Sequence, residues 1–193
     1  MQIGLRRNDG SPSTVSLVTT TRPEPPLTAD EPTMLRGWLD WHRTTLRQKT
    51  DGLDHAGLNQ RLEPSTLTLA ALVKHMAHVE DDWFGVMLMG REYVEPWASA
   101  DWDADRDWEM TSAAADSPQE LRRLLDEAIA ASDAILDQVL ADDGLDRLSV
   151  REDRRGGGRF SLRWILVHMI EEYARHNGHA DLIRESVDGA TGA

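Results

Sequence analysis

The sequence predicts an all-α protein, folded as an antiparallel four-helix bundle of a single domain. Three observations carry that expectation. Apolar residues recur at three- and four-residue steps through four stretches of helical length, one of those stretches opens on a capping sequence, and no segment reads as a credible strand. The chain has 193 residues, enough to bury a substantial core.

Residues 1–30 lack periodicity and close on Arg22-Pro23-Glu24-Pro25-Pro26. Such a segment cannot bury enough apolar surface to offset its ordering entropy, so it is expected to be a flexible extension ahead of a domain spanning 31–189. The first helix is predicted over about 32–50, where Leu35, Trp38, Leu39, His42 and Leu46 share a face and Asp51-Gly52 stops the run. Pro64-Ser65 leads into a second helix over about 67–89, ended by Gly90. The third has the strongest start, Ser117-Pro118-Gln119-Glu120, with serine as N-cap and proline at the first helical position. Leu121, Leu125, Ile129, Ile135, Leu136 and Val139 continue its stripe to about residue 140. The fourth follows Ser161 and runs to about 186, before Asp188-Gly189. Two longer connections remain. Residues 90–116 hold Trp97, Trp102 and Trp108 among acidic residues, and 141–160 contain Gly156-Gly157-Gly158. Either could frame a site at one end of the bundle; equally, the tryptophans could simply cover the core.

Composition excludes several functions. Thirty-four acidic residues against 21 basic ones give a formal charge of −13, a surface that repels nucleic-acid phosphates. The densest basic stretch, Arg151 to Arg159, is diluted by three glycines and two acids. No apolar run approaches the ~20 residues of a membrane span. The polar, Ser/Thr-rich stretch from Ser11 to Thr21 is no secretory core, so a cytoplasmic location is expected. Cysteine is absent, which removes disulfides, thiolate ligands and a cysteine nucleophile together; any metal site must use nitrogen and oxygen donors.

Five of the seven histidines lie in two of the predicted helices: His75 and His78 in the second, His168, His176 and His179 in the fourth. At about 100° per residue, His176 falls inside the apolar arc of its helix and Glu172, one turn earlier, sits on the arc's edge. His75 borders the core of the second helix, while His78 turns further toward solvent. Two imidazoles and a carboxylate at facing core edges are how helical bundles build metal sites, and they suit zinc, nickel, iron or manganese. Three protein ligands would leave positions open for water or substrate. The plainer alternatives are that a Glu-x-x-x-His pair is a solvated helix face and that His75 is a hydrogen-bonded core residue. His179, His78, His168 and Trp83 are the candidates for supporting the ligands or touching a substrate; His42 and His55 receive no role.

The wording of these helices is itself informative. Leu72-Val73-Lys74-His75-Met76-Ala77-His78-Val79-Glu80, followed by Trp83-Phe84, resembles the second helix of the DinB-like superfamily of metal-binding four-helix bundles, the damage-inducible family. The stretch from Trp164 to Leu182, with Glu172-Tyr173-Ala174-Arg175-His176-Asn177-Gly178-His179 within it, resembles the fourth. Leu39-Asp40-Trp41-His42-Arg43 is similar to the first helix of a mainly actinobacterial branch, and the resemblance extends over 32–189. The superfamily's usual triad is one histidine on the second helix and a His-x-x-x-His pair on the fourth. Glu172 stands at the first position of that pair, similar to the variant in the N-terminal domain of mycothiol-dependent maleylpyruvate isomerase. The resemblance therefore implies a divalent metal, zinc first, held by His75, Glu172 and His176.

It also implies activation of a low-molecular-weight thiol such as mycothiol for S-transfer to a small electrophile, and a homodimer. It stops short of that isomerase's C-terminal domain, so it implies the thiol chemistry rather than the isomerisation. The competing expectations are a binding or stress-response module that holds a metal without turnover, and a structural dimer whose polar cluster is a satisfied core network.

Overall fold

In the computed structural model, which describes residues 22–192, each of the four long helices begins on a side-chain oxygen that accepts a backbone amide. Asp30 accepts from Thr33 at the start of α1 (Glu31–Thr50), and Thr68 from Ala71 at the start of α3 (Leu69–Glu80). Ser117 accepts from Glu120 at the start of α5 (Pro118–Asp142), and Ser161 from Trp164 at the start of α6 (Leu162–Asp188). These caps satisfy amides that have no intrahelical partner. Two single-turn helices intervene, α2 (His55–Leu58) and α4 (Trp108–Thr111). Gly189 ends α6 at φ 76°, the left-handed conformation that a side chain would strain.

Two features depart from the sequence reading. The second predicted helix is α-helical only to Glu80 and continues through Asp81–Leu88 with the wider hydrogen bonding of a π-helix. The expectation of no strand is also corrected: β1 (Leu148–Glu152) and β2 (Arg159–Ser161) form a two-stranded antiparallel hairpin. Its strands are too short to show a period. One deep anchor fastens it, the buried Ser149 hydroxyl, which donates to the Arg151 carbonyl (2.6 Å) and accepts from the Phe160 amide (3.0 Å). The hairpin packs on the π-helical segment so closely that a Cβ at Gly90 would stand 2.6 Å from Val150 Cγ1.

Ion pairs and ring contacts fix the helix directions. Arg36, Arg43 and Arg47 of α1 pair with Asp137, Asp133 and Asp126 of α5, so these helices run in opposite senses. Along α6, Arg163 meets Glu31, Asn177 meets His42 and Asp181 meets Lys49, so α1 and α6 run together. His75 faces His176 and Trp83 faces His168, setting α3 against α6. Lys74 pairs with Asp116, just before α5, and Ser132 donates to the Glu80 carbonyl, so α3 and α5 share a direction. Two parallel pairs thus lie antiparallel to each other, and the chain must cross back between α3 and α5. Residues 89–117 make that crossover.

The core is filled by Leu39, Leu46, Leu72, Met76, Phe84, Leu121, Leu136, Leu166, Met169 and Tyr173, all essentially inaccessible. A charged network is buried among them. Arg43 donates from Nε and Nη2 to the two carboxylate oxygens of Glu80, both at 2.7 Å, and Tyr173 Oη donates to Glu80 Oε1 at 2.8 Å. Asp133 accepts from Arg43 Nη1 at 2.9 Å, so the guanidinium joins α1, α3 and α5, and the Glu80 carboxylate brings in α6 through Tyr173. The extension predicted over 1–30 falls mostly on residues 1–21, outside the described residues. Of its remainder, Arg22 lies over the Trp41 ring at 3.5 Å and donates to Thr45 Oγ1 at 2.6 Å.

Candidate metal centre

The π-helical end of α3 and the start of α6 bring an aromatic group together, and the ionisable cluster sits about one to two turns beyond it along the same pair of helices. His75, Glu172 and His176 each offer a donor atom, and the three atoms lie within 4.8 Å of one another. Glu172 Oε2 is 3.3 Å from His176 Nε2 and 4.0 Å from His75 Nε2, and the two imidazole rings meet edge to face at 4.9 Å between centroids. The i,i+4 spacing on α6 stacks Glu172 and His176 on one face, and the antiparallel α3 supplies His75 across from them.

Burial sets the electrostatics. His176 is 7% exposed. Desolvation foremost, together with the nearby His75, pushes its imidazole down to about 4, although Glu172 pulls the other way. The ring is therefore neutral at ordinary pH, the form in which imidazole ligates. Its Nδ1 is buried with no hydrogen-bond partner among the described residues, as is Nδ1 of His179, whose ring lies 5.5 Å away. A cluster with orphaned buried nitrogens is not a satisfied core network. Its donor set of two nitrogens and one oxygen at convergent positions fits a divalent cation such as zinc.

One contributor carried no sequence signal. Glu109, in the short helix α4 within the crossover, accepts from His75 Nδ1 at 3.0 Å and is itself buried. Burial, the largest single influence, raises the Glu109 carboxyl, but the hydrogen bonds from His75 and from its own backbone amide, with the nearby His75 and His78, together hold the group below its ordinary value. Acidic residues are frequent along this crossover and no periodicity distinguishes this one. Arg175 likewise escaped notice; it pairs with both Glu171 and Glu172 from the solvent side.

The remaining candidates separate. His179 stands beside His176, as its spacing suggests. His78 is not turned to solvent: the crossover folds over it, with Trp102 and Tyr93 stacked on the ring at 4.8 and 5.7 Å and Trp97 edge-on at 5.1 Å. Burial lowers the His78 imidazole, and its Nε2 lacks a partner among the described residues. His168 and Trp83 belong to the aromatic group, with Trp83 at 4.7 Å from His168, and Trp164 stacked on His168 at 5.0 Å. His168 Nε2 also lies 4.0 Å from Glu172 Oε1, so this group borders the cluster. A cleft of about 350 Å³ lined by Arg61, Thr68, Ala71 and Met110, among others, reaches to within one turn of His75 along α3. His42 and His55 serve structure: Asn177 donates to the His42 carbonyl, and His55 Nε2 bonds the Ala114 carbonyl.

Fold and cluster together define an all-α bundle with an interior two-histidine, one-carboxylate constellation. The mycothiol-S-transferase family profile matches residues 34–189, and the chain belongs to that family. A comparison with curated proteins finds no significant match. Among solved structures, the chain is similar to the conserved protein of locus from Enterococcus faecalis, at a TM-score of 0.55 and 19% identity over 84% of this chain and 100% of that one. That likeness concerns the fold. No helix among the described residues is long and apolar enough to cross a membrane.

Proposed function

We propose that this protein is a metal-dependent thiol S-transferase that uses a mycothiol-type thiol against a small electrophile. The observation that carries the reading is the convergence of three donor atoms within 4.8 Å in a member of the mycothiol-S-transferase family. His75, Glu172 and His176 would hold the cation, zinc being the best match to the donor set. When bound, the cation supplies one net positive charge beside a single carboxylate, which favours the ionised form of a thiol sulfur.

The protein's own groups do the rest. Burial keeps His176 neutral and free to ligate. Glu109 holds His75 with its Nε2 toward Glu172. In this reading His179 Nδ1, buried and without a partner among the described residues, takes the thiol proton. The sulfur's electron pair then forms the new S–C bond as the leaving group departs with its own pair. Trp83, Trp164 and His168 supply an aromatic wall beside the cluster for the electrophile, and the cleft next to Ala71 takes the thiol's polar part. A homodimer belongs to the same reading; Trp164, Val167 and Leu182 stand exposed on α6, and light scattering of the purified protein measures its mass.

The decisive experiment incubates zinc-loaded protein with mycothiol and a panel of alkylating electrophiles. Conjugate formation above the uncatalysed rate, lost on chelation and in His176→Ala, is the expected result. Zinc content equal in wild type and His176→Ala, or no conjugate above background with any electrophile, overturns it.

A further inference from the structure

The geometry points to Glu109 as the positioning residue of the metal centre, and through it to the crossover 89–117 as a cover whose closure and metal binding reinforce each other. The inference rests on the metal reading above and extends it to residues the ligand pattern does not contain.

Four observations carry it. Glu109 accepts from His75 Nδ1 at 3.0 Å, and a proton on Nδ1 leaves the Nε2 lone pair free on the side where Glu172 Oε2 lies at 4.0 Å. That is the tautomer a ligating imidazole needs. Second, the partner is one-sided. His176 Nδ1 is buried with no partner among the described residues, so orientation of the two imidazoles from outside comes through His75 alone.

Third, Glu109 is not bonded like a structural carboxylate. Both oxygens of the buried Glu80 are bonded, to Arg43 and Tyr173, whereas Glu109 Oε2 is buried without a partner among the described residues. A carboxylate that leaves an oxygen orphaned costs stability, and the side chain that Glu109 bonds is His75. Fourth, Glu109 is not on the bundle. It sits in α4, which the crossover holds down through Trp97, Trp102 and Trp108 packed on one another and on His78. Lifting the crossover withdraws Glu109, frees His75 to rotate, and weakens the metal. By linkage, a bound metal must hold the crossover down to the same degree.

The test uses the full-length protein, zinc and two variants. Glu109→Ala removes the acceptor; Glu109→Gln keeps an oxygen that accepts from Nδ1–H without the charge. Zinc affinity is measured by competition with a chromophoric chelator, alongside the visible spectrum of the cobalt-substituted protein and tryptic cleavage after Arg106, an exposed site in the crossover. The expected result is zinc binding weakened roughly 10–100-fold in Glu109→Ala, with part recovered in Glu109→Gln. Zinc should slow cleavage at Arg106 in wild type and much less in Glu109→Ala, and the cobalt spectrum should change between them. Circular dichroism of the metal-free variants checks that the helices persist. Wild-type zinc affinity in both variants, with His176→Ala still losing zinc, overturns the inference and leaves the metal reading standing. Absence of zinc from wild type overturns both.

Discussion

Tyr173 and Glu172 are neighbours on α6, yet they serve two buried polar clusters built on different terms. Tyr173 belongs with Arg43 and Glu80, where each Glu80 oxygen is bonded and the network spans four helices. Glu172 belongs with His75 and His176, where the donors lie close but His176 and the adjoining His179 each keep a buried nitrogen without a partner among the described residues. The first arrangement is closed: charge meets charge at hydrogen-bond distance; burial first and Glu80 second raise Tyr173 well above its ordinary range, while for Arg43 burial opposes a rise that Glu80 drives. The second is open: its donor atoms converge within 4.8 Å of one another without the closed set of hydrogen bonds that Glu80 has. A bundle can carry both because the closed one fixes the helix spacing that the open one requires.

The largest expected effect tests the closed cluster. Glu80→Ala leaves the Arg43 guanidinium buried beside only Asp133 and Asp40, and should cost about 3–5 kcal/mol in denaturant-induced unfolding. A cost below about 1 kcal/mol would show that the network is not what holds the helices. His176→Ala sharpens the contrast: zinc content should fall to background, while the metal-free protein changes in stability by about 1 kcal/mol or less, because the lost ring had an unpaired nitrogen.

The open cluster also sets a pH dependence. With its folded value near 4 below the unfolded value of about 6.5, His176 takes up a proton on unfolding throughout that window. Metal-free stability should therefore decline as pH falls from 6.5 to 4 and this contribution should level off below 4. His176→Ala should show a shallower decline over that range; an unchanged slope would assign it to other groups. The smallest effect concerns Arg175, half-exposed and paired with Glu171 and Glu172. Arg175→Ala should alter stability by less than about 0.5 kcal/mol. It should also tighten zinc binding by a factor of about 2–5, a gain that salt reduces.

What could be read from the sequence follows from which interactions are local. The periodic stripes, the Ser117 cap and the stop at Gly189 are written within a few residues of one another, so the four long helices were legible to within a few residues at their ends. His75, Glu172 and His176 were legible because a helix converts spacing into direction. The partner of Glu80 was not, since Arg43 lies on another helix and its charge gives no hint of depth. Glu109 was hidden among the acids of the crossover, its role created by where the chain returns. His78 was misplaced for the same reason: a helical wheel knows the helix's own faces but not the loop that comes to lie on them. The hairpin at 148–161 was too short for a period-2 pattern to emerge, and the π-helical segment keeps the apolar content of an ordinary helix.

The parallel course of α3 and α5 has a consequence for how such a protein can diversify. Any chain with this helix order must spend a long connection walking back along α3 from its far end to its near one. That connection is obligatory for topology but free in composition, and it necessarily passes over the face that bears His75 and His78. Glu109 and its bond to His75 apart, its residues can be rewritten, changing what fits above the histidines, while the bundle's own packing and the side chains of His75, Glu172 and His176 stay as they are. The fold thus separates, along one polypeptide, the part that must be kept from the part on which new substrate preferences can be tried.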